Sequence, residues 1–115
     1  MDYEFPKGLT LWNSATGSVA VSQHAWERFI LRYPVAAGLV AAAAPRSREY
    51  FIERLMIGYL RAVPVDFGDE ERIRRILKHH GTDCHILKDT STRLRYVTAK
   101  IDHVVITVPI VAKTH

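Results

Sequence analysis

The sequence predicts a single α+β domain, in which N-terminal helices pack on a small C-terminal antiparallel β-sheet arranged as a meander. Helical periodicity dominates the chain as far as Gly81, and an alternation of apolar and polar residues replaces it from Cys84 onward. A chain of 115 residues is long enough for one domain that buries roughly two thirds of its unfolded surface. Because the helical signals precede the strand signals, we expect the helices to cover one face of the sheet.

The beginning of the chain has only weak strand signals. Residues 1–8 are predicted to form a loose arm, and residues 9–12 and 19–21 are candidates for two short strands on either side of a turn-rich segment. Segments of this length carry little periodicity. The predicted sheet is therefore built from later strands.

The clearest amphipathic pattern lies between Ser22 and Pro34. Its apolar side chains recur at the spacing that places them on one side of an α-helix, and they are Trp26, Phe29, Ile30 and Tyr33. Ser22 is a good N-cap, and Pro34 disfavours helical geometry at the preceding residue, so the helix is predicted to end at Tyr33. Because a large apolar side chain left in water forgoes roughly 1.5 to 3 kcal/mol, Trp26, Phe29 and Ile30 are expected to be buried.

Three further helices are predicted before the strands. The alanine-rich residues 35–44 favour a short, closely packed helix, and residues 46–62 carry the longest apolar stripe in the chain. Gly58 within that stripe costs about 1 kcal/mol relative to alanine, which indicates that another element approaches closely there. The acidic segment 66–71 leads into a last helix with a basic end, for which Gly81 is the stop signal.

The sheet is predicted from three runs of alternating residues. They cover residues 84–88, 93–99 and 103–110, and the turns between them are residues 89–92 and 100–102. Such short connections join antiparallel neighbours, so a meander is expected.

Composition limits the cellular setting. Cys84 is the single cysteine, so no internal disulfide is possible and a reducing compartment is expected. The first residues are acidic where a signal peptide needs positive charge, and no apolar run reaches the ~18 residues of a membrane span. We therefore predict a cytoplasmic protein without membrane contact.

Charge gives weak support for a polyanionic partner. The chain has sixteen Lys and Arg residues and twelve Asp and Glu residues, which gives a net charge of +4. Arginine dominates the cations, and its planar fork fits phosphate with two hydrogen bonds. RNA or another single-stranded nucleic acid is the predicted partner.

Two groups of cations stand out from this background. His24, Arg28 and Arg32 follow one another at helical i+4 spacing, on a row well away from the apolar stripe of the first helix. Arg93 and Arg95 share one face of the middle strand because side chains alternate along a strand. If the helix packs beside the strands, the two groups are expected to form one site.

The residues of this helix and of the last two strands resemble a known family. His24-Ala25 and Arg28-Phe29 open the helix, and the strands read Leu-Arg-Tyr-Val-Thr at residues 94–98 and Val-Val-Ile-Thr-Val at residues 104–108. This pattern resembles the RelE/BrnT-like group of small bacterial and phage ribonuclease toxins. The alanine-rich segment and the helix at residues 46–62 are an insertion relative to those short toxins.

The resemblance implies a metal-independent endoribonuclease, whose reaction needs a base, an acid and groups that stabilise charge on phosphorus. Histidine suits proton transfer near neutral pH, and arginine suits the charge. The residues predicted to act in catalysis are His24, Arg28, Arg93 and Arg95. The residues predicted to bind nucleic acid are Arg32, His85 and Lys88, and His85 is also a second candidate for the acid. No metal and no cofactor is predicted.

Other functions remain open. A nucleophilic Cys84 is disfavoured because its neighbour His85 faces the other side of the strand. A noncatalytic adaptor or assembly protein is the alternative to nucleic-acid binding. Such a protein would use the arm and the segment 35–44 to bind another protein or a second copy of itself, and an exposed apolar patch would favour it.

Overall fold

The computed structural model describes residues 3–39, 47–65, 71, 75, 78, 79 and 83–109. Within these ranges the helices and strands are, in chain order, β1 (Thr10–Asn13), β2 (Gly17–Val21), α1 (Gln23–Ala36), α2 (Arg48–Arg61), β3 (Val63–Pro64), β4 (Cys84–Lys88), β5 (Arg95–Ala99) and β6 (Val104–Thr107). No helix in the described ranges is long and apolar enough to cross a membrane.

The sheet overturns the predicted fold class. All six strands belong to one curled mixed sheet, a half-barrel with the strand order β1-β2-β6-β5-β4-β3. The predicted meander of β4, β5 and β6 is present, but β6 also pairs in parallel with β2, which precedes the helices. Strands therefore lie both before and after α1 and α2. The prediction was wrong because the β1–β2 hairpin joins the sheet through the long-range pairing of β2 with β6. The local sequence of two short strands does not indicate such a pairing.

Helix α1 extends beyond its predicted end. Ser22 caps it by accepting a hydrogen bond from the amide of Ala25 at 3.0 Å, but Pro34 lies inside the helix. Gly38 ends it instead, with φ at +70°. The amide of Gly38 donates to the carbonyl of Val35 and that of Leu39 donates to the carbonyl of Pro34, the pairing of a Schellman motif.

These hydrogen bonds also correct the predicted helix at residues 35–44. Its described part leaves the helical conformation after Ala36, and residues 40–46 lie outside the described ranges. A left-handed residue is needed at this point of the chain, and glycine adopts it without strain.

Helix α2 confirms the longest predicted helix. Ser47 caps its start by accepting a hydrogen bond from the amide of Tyr50 at 3.1 Å. At the other end, the buried side chain of Asn13 donates to the carbonyls of Tyr59 and Ala62 at 2.8 and 2.7 Å. The β1–β2 turn therefore satisfies carbonyl groups that a helix end leaves free. The helix predicted after residues 66–71 lies mostly outside the described ranges, although residues 71, 75, 78 and 79 are helical.

The main core lies between the two helices and the concave face of the sheet. Its largest fully buried side chains include Trp26, Phe29, Leu55, Tyr59, Tyr96 and Val105. The prediction of burial is confirmed for Trp26 and Phe29, and Ile30 is half-buried. A smaller apolar cluster on the convex face consists of Cys84, Ile86 and Val97, so β4 and β5 are buried on both faces.

Residues 3–9 pack on this core although they form neither helix nor strand. The indole of Trp26 donates to the carbonyl of Tyr3 at 2.8 Å, and the guanidinium of Arg48 donates to the carbonyl of Glu4 at 2.7 Å. The ring of Tyr3 meets the ring of Phe51 edge-on, with 4.7 Å between centroids. The segment is thereby attached to both helices.

Gly58 confirms the predicted close approach to α2. A Cβ atom at this position would lie 2.5 Å from the hydroxyl of Tyr96, which is closer than side-chain packing permits. That hydroxyl is buried and, among the described residues, has no hydrogen-bond partner. Burial also raises the pKa of Tyr96. The side chain on β5 therefore limits the residue on α2 to glycine.

We expect Gly58→Ala to lower the free energy of unfolding by about 1 to 3 kcal/mol, since overpacking outweighs the gain in helix propensity. Tyr96→Phe removes the hydroxyl and should raise the free energy of unfolding, because an unsatisfied buried hydroxyl costs about 1 to 3 kcal/mol. In the double variant, the Gly58→Ala change should be neutral or stabilising. Urea unfolding of the four proteins measures this coupling, and equal effects of Gly58→Ala with and without the hydroxyl would contradict it.

Candidate nucleic-acid interface

In the cationic row of α1, His24 and Arg28 lie on the side of the helix away from the core, whereas Arg32 reaches the end of β6. His24 is exposed and Arg28 is half-buried, and the Nε group of Arg28 donates to Nε2 of His24 at 3.4 Å. Arg32, one turn further on, donates from Nη1 to the carbonyl of Val108 just after β6. Burial lowers the pKa of Arg32, and the charge of Arg28 lowers it further. The row therefore holds two guanidiniums close enough to repel each other.

A second group of cations lies where β4 ends and β5 begins. Lys88 and Arg95 stand directly opposite each other in the antiparallel pairing of these strands, and both are half-buried. The guanidinium of Arg95 donates to the carbonyl of Arg93 at 2.9 Å. Arg93 itself is exposed and has a φ of +66°. We call Lys88, Arg93 and Arg95 the strand-end cluster.

The β4–β5 turn that carries this cluster is held from inside by Asp89. One carboxylate oxygen accepts hydrogen bonds from Nε of Arg61 and the amide of Ser91, at 2.8 and 2.9 Å. The other accepts from Nη2 of Arg61 and the hydroxyl of Thr92, both at 3.0 Å. The hydrogen bond that Arg61 donates to Asp89 raises the pKa of the Arg61 guanidinium. The buried carboxylate thus joins the β4–β5 turn to the end of α2.

Backbone hydrogen bonds close the same turn. The amide of Asp89 donates to the carbonyl of Leu94 at 2.8 Å, and the amide of Arg93 donates to the carbonyl of Asp89 at 2.7 Å. The sequence predicts a turn at Asp89 but no function for its side chain. The signal was the run Asp-Thr-Ser-Thr at residues 89–92, because such side chains hydrogen-bond to nearby backbone in turns.

The two cationic groups belong to different parts of the fold. Thr98 of β5 faces the concave side, where its hydroxyl lies 2.9 Å from that of Tyr59 on α2. Because side chains alternate along a strand, Arg95 faces the convex side. Helix α1 packs on the concave side through Trp26 and Phe29. Among the described residues, no hydrogen bond joins His24 to Arg93 or Arg95.

His85 lies apart from Lys88, although both belong to β4. Lys88 follows the alternation of Ile86, whose side chain is in the convex cluster, whereas Leu87 is in the main core. His85 therefore faces the concave side and pairs with Thr98 across the two strands. The structure thus brings Lys88 to Arg93 and Arg95, and His24 to Arg28.

Comparison with protein-family models, with curated proteins and with solved structures finds no match for this chain. Within the described ranges, no group of three or more His, Cys, Asp or Glu side chains is arranged to hold a metal ion.

Proposed function

We propose that this protein binds RNA or another single-stranded nucleic acid through its phosphate groups, at the strand-end cluster. The observation that carries the proposal is the cross-strand register that sets Lys88 opposite Arg95. Like charges directly opposite each other in a sheet are destabilising, and a phosphate between them is attracted to both. Neutralised phosphates also release counterions, which favours binding to any polyanion.

The position of Arg93 extends the surface beyond that pair. Its carbonyl accepts a hydrogen bond from Arg95 at 2.9 Å, which orients the Arg95 guanidinium, while its own side chain is exposed. Successive phosphates along a nucleic-acid strand require cations at successive places, and the three residues of the cluster supply them at one end of the β4–β5 hairpin. Guanidinium forks add two-point contacts that a lysine ammonium does not make.

The resemblance to the RelE/BrnT-like group stays a prediction, and so does the endoribonuclease activity that it implies. The roles in catalysis predicted for His24, Arg28, Arg93 and Arg95 likewise stay predictions. Binding at the strand-end cluster does not depend on them, because it needs charge and position only.

Fluorescence anisotropy with a labelled, unstructured RNA tests the proposal. We expect the affinity to fall steeply between about 50 and 200 mM salt, and the variant Lys88→Gln with Arg95→Gln to bind more weakly at the lower concentration. The slope of log K against log salt should become shallower by about 0.7 for each lost phosphate contact.

The matched control removes two positive charges elsewhere, with Arg75→Gln and Lys100→Gln. These residues form ion pairs with Glu71 and Asp83, at 3.6 and 3.4 Å, so their charges are already partly neutralised. The control should keep most of the wild-type affinity. The proposal is wrong if the wild-type protein does not bind at low salt, or if the two double variants lose affinity equally.

A second function, in protein assembly, is favoured by a different observation. Leu31 and Val35 lie on the outer side of α1 and are 66% and 79% exposed. A contiguous exposed apolar patch is typical of a surface that another protein covers, and these two neighbouring side chains would belong to it.

A further inference from the structure

The outer faces of the two helices carry opposite charges next to exposed apolar residues. On α1 the row of His24, Arg28, Leu31 and Val35 points away from the core; Arg28 in it is half-buried, and the exposed Glu27 flanks the row. On α2 the corresponding face consists of Glu49, Glu53, Met56 and Leu60. We call these the basic stripe and the acidic stripe. Met56 and Leu60 are 45% and 57% exposed, so both stripes offer apolar surface to water.

The two stripes have the same spacing along their helices. Steps of four, three and four residues separate the members of each stripe, which keeps them on one side of an α-helix. Both helices have 14 residues and begin after a serine N-cap, Ser22 or Ser47. In each stripe the charged half lies near the N-terminus of the helix and the apolar half near the C-terminus.

The matched spacing makes the stripes complementary when the two helices lie side by side in parallel. His24 then faces Glu49 and Arg28 faces Glu53. Leu31 faces Met56 and Val35 faces Leu60 in the same register. The Nη groups of Arg28 can donate to the carboxylate of Glu53, because the hydrogen bond to His24 uses the Nε group.

The stripes of one molecule cannot meet each other. Both helices turn their aromatic faces inward, where the rings of Phe29 and Phe51 lie 6.4 Å apart, so both stripes point outward. We propose that the protein self-associates, with the basic stripe of one copy packed in parallel on the acidic stripe of a second copy. A second copy fits better than an unrelated partner because each molecule carries both halves of the match. Because the two stripes are different surfaces, the contact between copies is heterologous and can repeat from one copy to the next.

Charge reversal tests the register. In the variant Arg28→Glu, the new carboxylate faces Glu53 of the second copy. In the variant Glu53→Arg, the new guanidinium faces Arg28 of the second copy. We expect each variant to self-associate at least about tenfold more weakly than the wild type. A mixture of the two variants should associate again, because the reversed residues of one match those of the other. The double variant Arg28→Glu with Glu53→Arg should associate like the wild type. Sedimentation equilibrium over a range of concentrations measures each case.

The control Lys7→Glu makes the same change of charge on an exposed residue outside the stripes and should leave association unchanged. Circular dichroism establishes that each variant is folded. As a second measurement, Leu31→Ser should weaken association without touching any charge. A monomeric wild type at all concentrations, or a mixture that associates no better than the separate variants, overturns the proposal. RNA binding at the strand-end cluster is measured with other variants and another readout. Failure of one proposal therefore leaves the other untouched.

Discussion

Phe29→Ala should lower the free energy of unfolding by about 3 to 5 kcal/mol, the usual cost of truncating a phenylalanine in a closed core. The Phe29 side chain is 0% exposed. Its ring stacks on Tyr33 with 5.1 Å between centroids and meets Phe51 edge-on at 6.4 Å. Because these contacts join α1 to α2, neighbouring side chains cannot close the cavity without moving a helix.

Urea unfolding followed by circular dichroism measures this loss. Ile101→Ala is the control, since it also shortens an apolar side chain but at a position that is 82% exposed. Substitutions at such surface positions usually change stability by no more than about 0.5 kcal/mol. Similar losses in the two variants would show that Phe29 is not enclosed as described.

Asp89→Ala should be the most damaging change outside the apolar core, with a loss of about 2 to 4 kcal/mol. Hydrogen bonds to a charged group contribute about 1.5 to 3 kcal/mol each, but they are not additive, and the partly exposed Arg61 regains water when its partner is removed. The hydroxyl of Thr92 and the amide of Ser91 lose their acceptor in the same variant.

The control for this change is Asp102→Ala, which removes an exposed carboxylate from the turn before β6. Its effect should be small, as for most surface substitutions. Chemical denaturation measures the free energy of unfolding of both variants. An Asp89 variant as stable as the Asp102 variant would mean that the Arg61–Asp89 ion pair does not hold the turn.

The elements that sequence analysis located well are those whose pattern repeats within a few residues. Helix α2 shows several turns of apolar spacing, and β4 has the predicted bounds Cys84–Lys88. The predicted end of α1 at Tyr33 is wrong because Gly38, and not Pro34, stops the helix. Near a helix end Pro34 removes a single hydrogen bond, whereas Gly38 supplies the left-handed geometry that stops the helix.

The candidate site was predictable only in the features that depend on local sequence. A meander with a short turn brings Lys88 and Arg95 to neighbouring strands, but their exact pairing depends on the register, which local sequence does not determine. The expectation that His24 joins Arg93 and Arg95 depended on which face of the sheet α1 covers. That choice follows from the position of β2 beside β6, a long-range contact without a local signal.

The parallel pairing of β2 with β6 also constrains how the chain is made. Strand β6 is the only bridge between the β1–β2 hairpin and the β5–β4–β3 part of the sheet within the described residues. During synthesis both parts leave the ribosome before β6 does, and until it arrives β2 and β5 expose unpaired backbone groups. Long-range pairings of this kind form slowly, and unpaired edges invite aggregation. The edges of β2 and β5 are therefore the places where an incomplete chain is most exposed to wrong pairing before its β6 residues have emerged.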